Sequence, residues 1–484
     1  MAAERPYQFY DTAVSLCPHC LRRVDAKIVF QDGAVWMLKR CPEHGAQKVL
    51  ISDDIPYYRA CRETYLKTPE QSRCYNTPSR YGCPYDCGIC PDHEQHGCIL
   101  LVEITDRCNL RCPTCYAHSG PERLSHRPLT QIERMLDRAV ANEGEPNVVQ
   151  ISGGEPTLHP EFFEVLDAAL ARPVGHLMVN TNGVRLARDP AFVERLSQYR
   201  DQVEIYLQFD SLESGPLLTL RGEDLTQTRQ RALSALAQIG MPVNLVCTLR
   251  RGVNDKELGA IVEHALSWPN VRGVVFQPVQ AAGRLEQYPD GYQVDRDRLP
   301  LSEVRRRLLA QSDRFIPEDI IPVPCHADAV AMAYGLRQGN NLIPLTRLVT
   351  PELLIQAAGN TISYEQETGL QQSLFNLFST HHNPHSQGEA LSEMLNQAEQ
   401  PSLASTDYGQ VFRVMIVEFI DAHNFDLRSI RKSCVHIVHP DGERVIPFDT
   451  YNLLYRDQLE QQVLAPLRDA TLPMGGPISL GGGR

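Results

Sequence analysis

Residues 99–116 read ILLVEITDRCNLRCPTCY and place three cysteines directly after a mostly apolar run. The run ILLVEI (99–104) predicts a buried β-strand, so Cys108, Cys112 and Cys115 follow its carboxyl end. Four thiolates complete the coordination of a [4Fe-4S] cube, which then transfers electrons. Three leave one iron free, as a catalytic zinc site keeps one position open. The C-x3-C-x2-C spacing therefore predicts a metal centre that binds a further ligand and carries out chemistry.

Further apolar, β-branched runs alternate with amphipathic stretches after this strand. The predicted strands are NVVQIS (147–152), HLMVN (176–180), VEIYLQF (203–209), VNLVCTL (243–249) and GVVFQ (273–277). Repeated strand–helix units indicate a parallel sheet in the α/β class, and six of them fit a partial (βα)6 barrel. Chemistry in such folds collects at the carboxyl ends of the strands, which is where Cys108 lies.

The composition divides the chain into three predicted domains. Residues 1–98 form a cysteine-rich N-terminal domain, because they show little helical periodicity and a loop-rich region needs metal staples. Residues 99–285 form the barrel core, and residues 286–484 form an α+β C-terminal domain with a buried strand at 411–420. The polar stretch 380–389 predicts an exposed loop, and the glycine-rich residues 474–484 predict a flexible tail.

Charge and cysteine usage narrow the class of protein. The 484 residues include 47 basic and 59 acidic side chains, for a net charge of -12, which disfavours nucleic acid as the main partner. The amino-terminal residues lack a signal-peptide core, and no apolar run reaches transmembrane length. We therefore expect a cytoplasmic protein, in which thiols stay reduced and fifteen cysteines favour metal binding or catalysis over disulfides.

Polar residues at the other strand ends predict a ligand site. Ser152-Gly153-Gly154-Glu155-Pro156 follows the second strand; its glycines allow close backbone approach, and Glu155 has the charge to pair with an ammonium group. The remaining strand-end candidates for ribose, carboxylate or substrate contacts are Asn180, Asn182, Gln208, Asp210, Thr248 and Gln277.

The remaining cysteines predict additional metal sites. Cys83, Cys87, Cys90 and Cys98 indicate an auxiliary iron-sulfur cluster, with structural zinc as the alternative. A mononuclear site of zinc-ribbon or rubredoxin type is predicted at Cys17, Cys20, Cys41 and His44, where Cys61 or Cys74 is an alternative fourth ligand. Two late cysteines beside histidines, Cys325 and Cys434, are candidates for closing a further cluster against the N-terminal cysteines, with Cys61 or Cys74 as candidate partners.

The cysteine loop, the aromatic Tyr116 after it and the Gly-Gly-Glu-Pro segment together resemble the radical S-adenosylmethionine (radical SAM) superfamily. The order of all the cysteine motifs is similar to the subgroup of an archaeal methylase acting on the pterin ring of methanopterin and of tetraether lipid synthases. This resemblance implies a SAM-binding [4Fe-4S] cluster at Cys108, Cys112 and Cys115, with SAM contacts at Gly153 to Pro156. It also implies auxiliary clusters, mononuclear iron or zinc, and a flavodoxin- or ferredoxin-type reductant.

The expected activity is reductive cleavage of SAM to a 5′-deoxyadenosyl radical that attacks a substrate C–H bond. The expected outcome is C-methylation or carbon–carbon bond formation on a pterin-like heterocycle or a lipid chain. Radical modification of a peptide or carbohydrate is one alternative, and a non-catalytic electron-transfer protein is another. One residue departs from the subgroup: Asp449 follows Pro447-Phe448 where a cysteine often stands, so a cluster there lacks that thiolate or uses a carboxylate.

Overall fold

A computed structural model describes residues 5–65, 72–285, 291–338, 341–347 and 410–471. The loop predicted at 380–389 and the tail predicted at 474–484 lie outside these residues. The described chain forms two sheets, one of four strands near the amino terminus and one of twelve strands.

The four-stranded sheet is antiparallel and follows chain order. Its strands are β1 (Gln8–Leu16), β2 (Arg23–Gln31), β3 (Ala34–Cys41) and β4 (Gly45–Ser52), followed by helix α1 (Ile55–Glu63). Asp32 and Gly33 join β2 to β3 with φ angles of 53° and 76°, as a tight two-residue hairpin turn requires. The ends of these hairpins carry the predicted mononuclear metal ligands.

Six parallel strands with helices between them form the centre of the large sheet. The strands are β5 (Ile99–Thr105), β6 (Val148–Gly153), β7 (His176–Thr181), β8 (Val203–Gln208), β9 (Val243–Leu249) and β10 (Val271–Pro278). The helices are α2 (Leu129–Glu143), α3 (Phe162–Leu170), α4 (Val184–Arg188), α5 (Pro190–Leu196), α6 (Ser214–Arg221), α7 (Thr226–Gln238) and α8 (Leu258–Leu266). This confirms the predicted partial (βα)6 barrel.

Later residues extend the same sheet at both edges. The elements are α9 (Val294–Asp297), α10 (Leu301–Gln311), β11 (Ile321–Pro322), β12 (Val330–Gln338), β13 (Asn341–Pro344), β14 (Val411–Val417), α11 (Leu427–Ile430), β15 (Val435–Val438), β16 (Val445–Pro447), α12 (Phe448–Thr450) and α13 (Ala465–Asp469). Strand β14 pairs in parallel with β10, and β15 pairs in parallel with β5. The sheet therefore continues through residues of the predicted C-terminal domain.

The two faces of the barrel strands differ in polarity. The outer residues, such as Leu100, Ile151 and Phe276, pack with the helices in one apolar core. The inner face carries polar side chains, including Gln150, Asn180 and Gln208, which face a cavity. Alternation along a strand sends successive side chains to opposite faces, so one sequence builds both the core and the cavity wall.

Lys39 on β3 ties the small sheet to the segment after β14. Its ammonium is buried and donates to the carbonyl oxygens of Leu16, Ala422 and His423 at 2.7, 2.7 and 2.9 Å. A fourth bond, of 3.1 Å, reaches Ser15 Oγ. Burial lowers the pKa of Lys39 to about 8, so these acceptors must compensate for lost hydration.

Candidate active site

The three-cysteine loop lies beside a cavity of about 200 Å³ inside the barrel, and Cys108, Cys112 and Cys115 all line it. Cys108 and Cys112 are buried, while Cys115 is partly exposed. Burial raises the pKa of the Cys108 and Cys112 thiols, and neighbouring negative groups add to the effect at Cys108. Uncompensated thiolates would be costly here, so the loop favours a cation that holds them ionised.

Arg284, in the segment after β10, fixes the three-cysteine loop through hydrogen bonds to its backbone. Buried Arg284 donates from its guanidinium to the carbonyl oxygens of Cys112 and Ser119 at 2.6 and 2.7 Å. Its backbone N–H donates to the Cys115 carbonyl at 2.9 Å. Hydrogen bonds from a charged donor are among the stronger ones in proteins, so this arginine holds both ends of the Cys112–Cys115 turn.

Two polar side chains approach the thiols, Arg221 from the end of helix α6 and Asn182 from the end of strand β7. Arg221 hydrogen-bonds the Cys112 thiol, and Asp210 accepts two bonds from that guanidinium at 2.7 and 2.5 Å. Burial raises the pKa of Asp210, but the charge and hydrogen bonds of Arg221, the charge of Arg229 and a hydrogen bond from Thr248 N together outweigh it and lower the pKa. Asn182 Nδ2 lies 3.7 Å from Cys108 Sγ and donates to Asn109 Oδ1 at 2.7 Å. The loop therefore has a cation on one side and an amide on the other.

The Gly153-Gly154 turn packs directly against the strand that leads into the cysteines. A Cβ at Gly153 would lie 2.3 Å from the Thr105 carbonyl oxygen, and one at Gly154 would lie 2.2 Å from that of Arg107. Gly153 also has a φ of 134°. Only glycine fits such close backbone contact, and both glycines line the cavity beside the loop.

Glu155 is turned into the protein. Its carboxylate accepts from Thr157 N and Oγ1, Thr181 Oγ1 and Asn182 N at 3.2, 2.6, 2.7 and 2.7 Å. Burial raises its pKa, although these donors partly oppose the shift. Neither Glu155 nor Pro156 is among the residues that line the cavity. The geometry indicates that Glu155 positions the turn, and its predicted direct pairing with an ammonium stays a prediction.

The structure brings most of the predicted contacts together on the cavity wall. Predicted residues that line it are Tyr116, Gly153, Gly154, Asn180, Asn182, Gln208, Thr248 and Gln277. Asp210, like Glu155 and Pro156, does not line the cavity, because it is buried beneath Arg221. Some lining residues were not predicted from the sequence. They are the arginines Arg221 and Arg284, the inner-face residues Gln150, Ser152 and Tyr206, and the aromatic residues Phe419 and Phe448 from the C-terminal part of the chain. Strand alternation could have found the inner-face residues, but no local pattern marks the others.

These residues fit a [4Fe-4S] cluster with SAM beside it. The donor set is three soft thiols at one cavity, and soft thiolates are the ligands that iron-sulfur clusters prefer. The sulfur atoms are also more spread out than in the two compact ligand groups found among the described residues, in each of which every pair of ligand atoms lies within 4.8 Å. Ligands of a cube bind separate iron atoms and so stand farther apart than ligands of one ion.

A second group, Cys83, Cys87 and Cys90, is buried and lines a much smaller cavity of about 10 Å³. Asp86 fixes this turn, because its Oδ2 accepts from the backbone N–H groups of Arg80 and Gly82 at 2.6 and 2.7 Å. The pKa of Cys87 is lowered, chiefly by a hydrogen bond from Cys83. Three buried thiols around one small cavity are suited to binding a metal.

Cys98 lies in a different group from the predicted one. Its thiol is within 4.8 Å of those of Cys325 and Cys434, and the last two are 3.8 Å apart. Parallel pairing of β5 with β15 causes this, since Ile99 pairs with Val435 and the Ile99 N–H donates to the Cys434 carbonyl at 3.1 Å. The sequence had placed Cys98 with Cys83, Cys87 and Cys90; the structure joins it to the late cysteines instead. Hydrogen bonds from Cys325 and then Cys434 lower the pKa of Cys98 well below its usual range.

The amino-terminal group consists of Cys17, Cys20, Cys41 and His44, whose ligand atoms all lie within 4.8 Å of one another. The Cys20–Cys41 sulfur distance is 3.8 Å, and His44 Nδ1 lies 3.5 Å from Cys41 Sγ. These separations fit one tetrahedral ion with metal–sulfur bonds of about 2.3 Å. The alternatives lie elsewhere: Cys61 is buried in α1, and the Cys74 thiol donates to the Ala141 carbonyl.

Asp449 occupies the position where the resembling subgroup often has a cysteine. Its Oδ1 accepts from Ile420 N at 2.6 Å, and its Oδ2 accepts from Ser433 Oγ at 2.8 Å. Burial raises its pKa to about 6. Both oxygens are therefore already used in joining three segments of the chain.

The partial barrel and the open three-cysteine loop together define a radical SAM protein. The profile of the radical SAM superfamily matches residues 102–265, and that of the "HMPTM N-terminal zinc ribbon domain" matches residues 9–53. The chain is 30% identical to the 7,8-dihydro-6-hydroxymethylpterin dimethyltransferase of Methanocaldococcus jannaschii, over 94% of this chain and 96% of the relative. This chain belongs to the radical SAM superfamily and, within it, to the family of that relative.

Other similarities cover only part of the chain. A GTP 3′,8-cyclase of Syntrophomonas wolfei is 30% identical over 39% of this chain and 57% of the relative. The crystal structure of Streptococcus suis SuiB is 16% identical over 45% of this chain and 46% of that chain, with a TM-score of 0.36.

The superfamily sets the class of chemistry. The protein is an enzyme that uses a [4Fe-4S] cluster to cleave SAM and acts on a small molecule. In the described parts of the chain, none of the helices is both apolar and long enough to cross a bilayer.

Proposed function

We propose that this enzyme methylates a carbon atom of a pterin-like heterocycle. The observation that carries the proposal is the similarity to the pterin dimethyltransferase, which extends over 94% of this chain and 96% of the relative. It therefore includes the zinc-ribbon sheet and the late cysteines as well as the barrel. The barrel cavity of about 200 Å³ beside the cysteine loop gives such a substrate a place to bind.

In this proposal Cys108, Cys112 and Cys115 hold the cluster. When bound, the cluster and SAM supply the 5′-deoxyadenosyl radical, which abstracts hydrogen from a C–H bond. Arg221 lies beside Cys112 and lines the cavity, so its guanidinium would bind the carboxylate of SAM at the cysteine-loop end of the cavity. Gly153 and Gly154 would let the methionine part of SAM approach the strand ends closely.

The other contribution of the chain is to exclude water. Apolar residues cover much of the cavity wall, and those from strands β5, β14 and β15 are Ile99, Leu101, Met415, Val417 and Val435. A carbon radical reacts with unintended partners unless its surroundings are dry and ordered, so an enclosed apolar wall suits this chemistry. Tyr116 and Phe448 add aromatic surface, with ring centroids 5.0 Å apart.

We also propose roles for the other cysteine groups. Cys83, Cys87 and Cys90 would hold an auxiliary cluster, and Cys98, Cys325 and Cys434 would bind a further metal centre. Cys17, Cys20, Cys41 and His44 would hold one zinc or iron ion that stabilises the ribbon. A flavodoxin- or ferredoxin-type protein would supply the electron. All fifteen cysteines are free thiols, which suits the reducing cytoplasm that we propose as the location.

Anaerobic assay of the reconstituted enzyme tests the proposal. Protein loaded with iron and sulfide receives 7,8-dihydro-6-hydroxymethylpterin, dithionite as the electron source and SAM as the radical source, which leaves as 5′-deoxyadenosine and methionine. Parallel assays add excess SAM or a reduced-folate one-carbon carrier as the donor of the methyl carbon, and mass spectrometry follows 5′-deoxyadenosine, the spent donor and the pterin. The expected result is a pterin heavier by one or two methyl groups. Formation of 5′-deoxyadenosine with an unmethylated pterin would leave the superfamily chemistry intact and refute the substrate. Offering an alkyl lipid or a small peptide in the same assay tests the alternatives predicted from the sequence.

A further inference from the structure

The cavity has two levels along the barrel strands. Asn182 follows β7 and contacts Asn109 and Cys108, so it belongs to the level of the cysteine loop. Asn180 lies two residues earlier, and a strand rises about 3.3 Å per residue, so Asn180 lies roughly 6–7 Å deeper. Its register partner on β8 is Tyr206. Both line the cavity, which therefore extends below the level where the cofactor contacts are proposed.

The lower level contains two separate groups of hydrogen-bonded polar side chains. Asn180 Nδ2 donates to Gln150 Oε1 and Ser152 Oγ at 3.2 and 3.3 Å. Gln277 Nε2 donates to the Tyr206 hydroxyl at 3.1 Å. Because Asn180 uses its nitrogen in these bonds, its oxygen is the group left for another partner.

Asn180 Oδ1 is buried and has no hydrogen-bond partner among the described residues. A buried acceptor without a donor costs about 1–3 kcal/mol. The terminal torsion of asparagine is broad, so a small rotation turns this oxygen to a ligand in the cavity. The deeper level thus offers a vacant acceptor at a fixed place on the wall.

Aromatic and apolar side chains from the late part of the chain face the same cavity. The Phe419 and Phe448 rings pack with centroids 4.1 Å apart and planes tilted by 30°, and Met415 and Val417 continue this surface. A wall with flat apolar groups and a polar edge fits a planar ring whose faces are apolar and whose rim carries donors.

We propose that the deeper level is the heterocycle subsite and that Asn180 Oδ1 accepts a hydrogen bond from the exocyclic amino group on the ring. This rests on the proposed function and makes Asn180 a residue that determines substrate specificity. The ligand class is a planar nitrogen heterocycle with an amino group on its rim, as in a pterin. The cofactor contacts stay one level nearer the cysteine loop.

A binding comparison of two heterocycles tests this without turnover. The probes are 6-hydroxymethylpterin and 6-hydroxymethyllumazine, in which oxygen replaces the amino group. Fluorescence titration of the reconstituted full chain, without SAM or reductant, gives both affinities. We expect the wild type to prefer the pterin by about tenfold to a hundredfold, the loss that an unpaired acceptor produces. Asn180→Leu should remove this preference, and Asn180→Asp, which keeps an acceptor, should restore most of it.

Two controls separate the possible results. Asn142→Leu removes a buried amide that bonds Asn76 outside the cavity, and it should keep the wild-type preference. SAM affinity, measured by equilibrium dialysis, should fall less than about threefold in Asn180→Leu, since SAM is assigned to the upper level.

Each contrary result has a distinct meaning. A preference that persists in Asn180→Leu overturns this inference and leaves pterin methylation standing. Loss of SAM affinity with pterin affinity retained also overturns it, because Asn180 is then a cofactor contact. A wild-type enzyme that cleaves SAM and binds neither heterocycle refutes the proposed substrate, and the subsite with it.

Discussion

Two loops of this chain carry cysteines at the same C-x3-C-x2-C spacing, and their surroundings differ. Residues 108–115 follow barrel strand β5 and border a cavity of about 200 Å³. Residues 83–90 precede the barrel and enclose about 10 Å³. The first loop lies against polar residues from several strand ends, whereas the second is closed by residues 430, 431 and 447.

The cysteine spacing supplies the ligands, and the surrounding fold decides whether a substrate can reach them. Three thiolates leave one corner of a cluster open in either loop. Only the first loop presents that corner to a cavity in which a second molecule fits. The open loop is therefore the candidate reaction centre, and the closed loop is suited to holding a cluster or an electron.

The largest expected effect comes from removing one thiol from each loop. Cys112→Ser and Cys87→Ser should each lower the iron content of reconstituted protein by about four atoms per chain. Only Cys112→Ser should abolish 5′-deoxyadenosine formation, by at least about a thousandfold; Cys87→Ser should reduce it less than about tenfold, if its cluster takes no part in SAM cleavage. Equal loss in both variants would contradict the assignment of residues 108–115 as the reaction centre.

The arginine beside each loop gives the next test. Arg221 and its partner Asp210 are almost fully buried, while Arg431 is 34% exposed and lies 3.8 Å from Asp92. Arg221→Gln removes two charge-assisted hydrogen bonds from the buried Asp210 carboxylate, which keeps Arg229 at 3.6 Å, and should cost about 3 kcal/mol of stability. Arg431→Gln should cost at most about 1 kcal/mol. Chemical denaturation measures both, and similar losses would contradict the assigned difference in burial.

Asp449 gives a pH-dependent test near the closed loop. Its pKa is raised from 3.8 to about 6, so the folded protein binds this proton more tightly than the unfolded chain does. The stabilisation is complete below the unfolded value and is lost as pH rises through about 6. Relative to wild type, Asp449→Asn should gain about 2 kcal/mol between pH 4 and pH 7.5. Thermal unfolding at both pH values measures it, and a constant difference would argue against the shift.

The smallest expected effect is at Tyr455, which supports the closed loop. Its hydroxyl accepts from Cys87 N at 2.8 Å and donates to the Pro84 carbonyl at 2.9 Å. Tyr455→Phe should cost about 1–2 kcal/mol, because both backbone groups lose a buried partner. Thermal unfolding measures this cost, and 5′-deoxyadenosine formation should stay near wild type. A larger effect on activity than on stability would connect the closed loop to the chemistry.

The sequence was sufficient for whatever depends on neighbours along the chain. Alternating runs predicted all six barrel strands, and the cysteine and glycine spacings predicted two segments of the cavity wall. The grouping of Cys98 with Cys434 depends on pairing between β5 and β15, which are far apart in sequence. The inward turn of Glu155 depends on donors from Thr181 and Asn182. Such long-range contacts leave no periodic trace in one sequence.

The buried ammonium of Lys39 connects the amino-terminal metal-ligand group to the wall of the active-site cavity, although the two sites are not in contact. Lys39 stands two positions before Cys41, and its acceptors Ala422 and His423 follow Phe419, which lines the cavity, by three and four residues. If Cys17, Cys20, Cys41 and His44 hold the proposed ion, a chelator that removed it would free the end of β3 and weaken the hydrogen bonds from Lys39 to Ala422 and His423. Catalytic activity would then depend on a metal ion that is remote from the reactants.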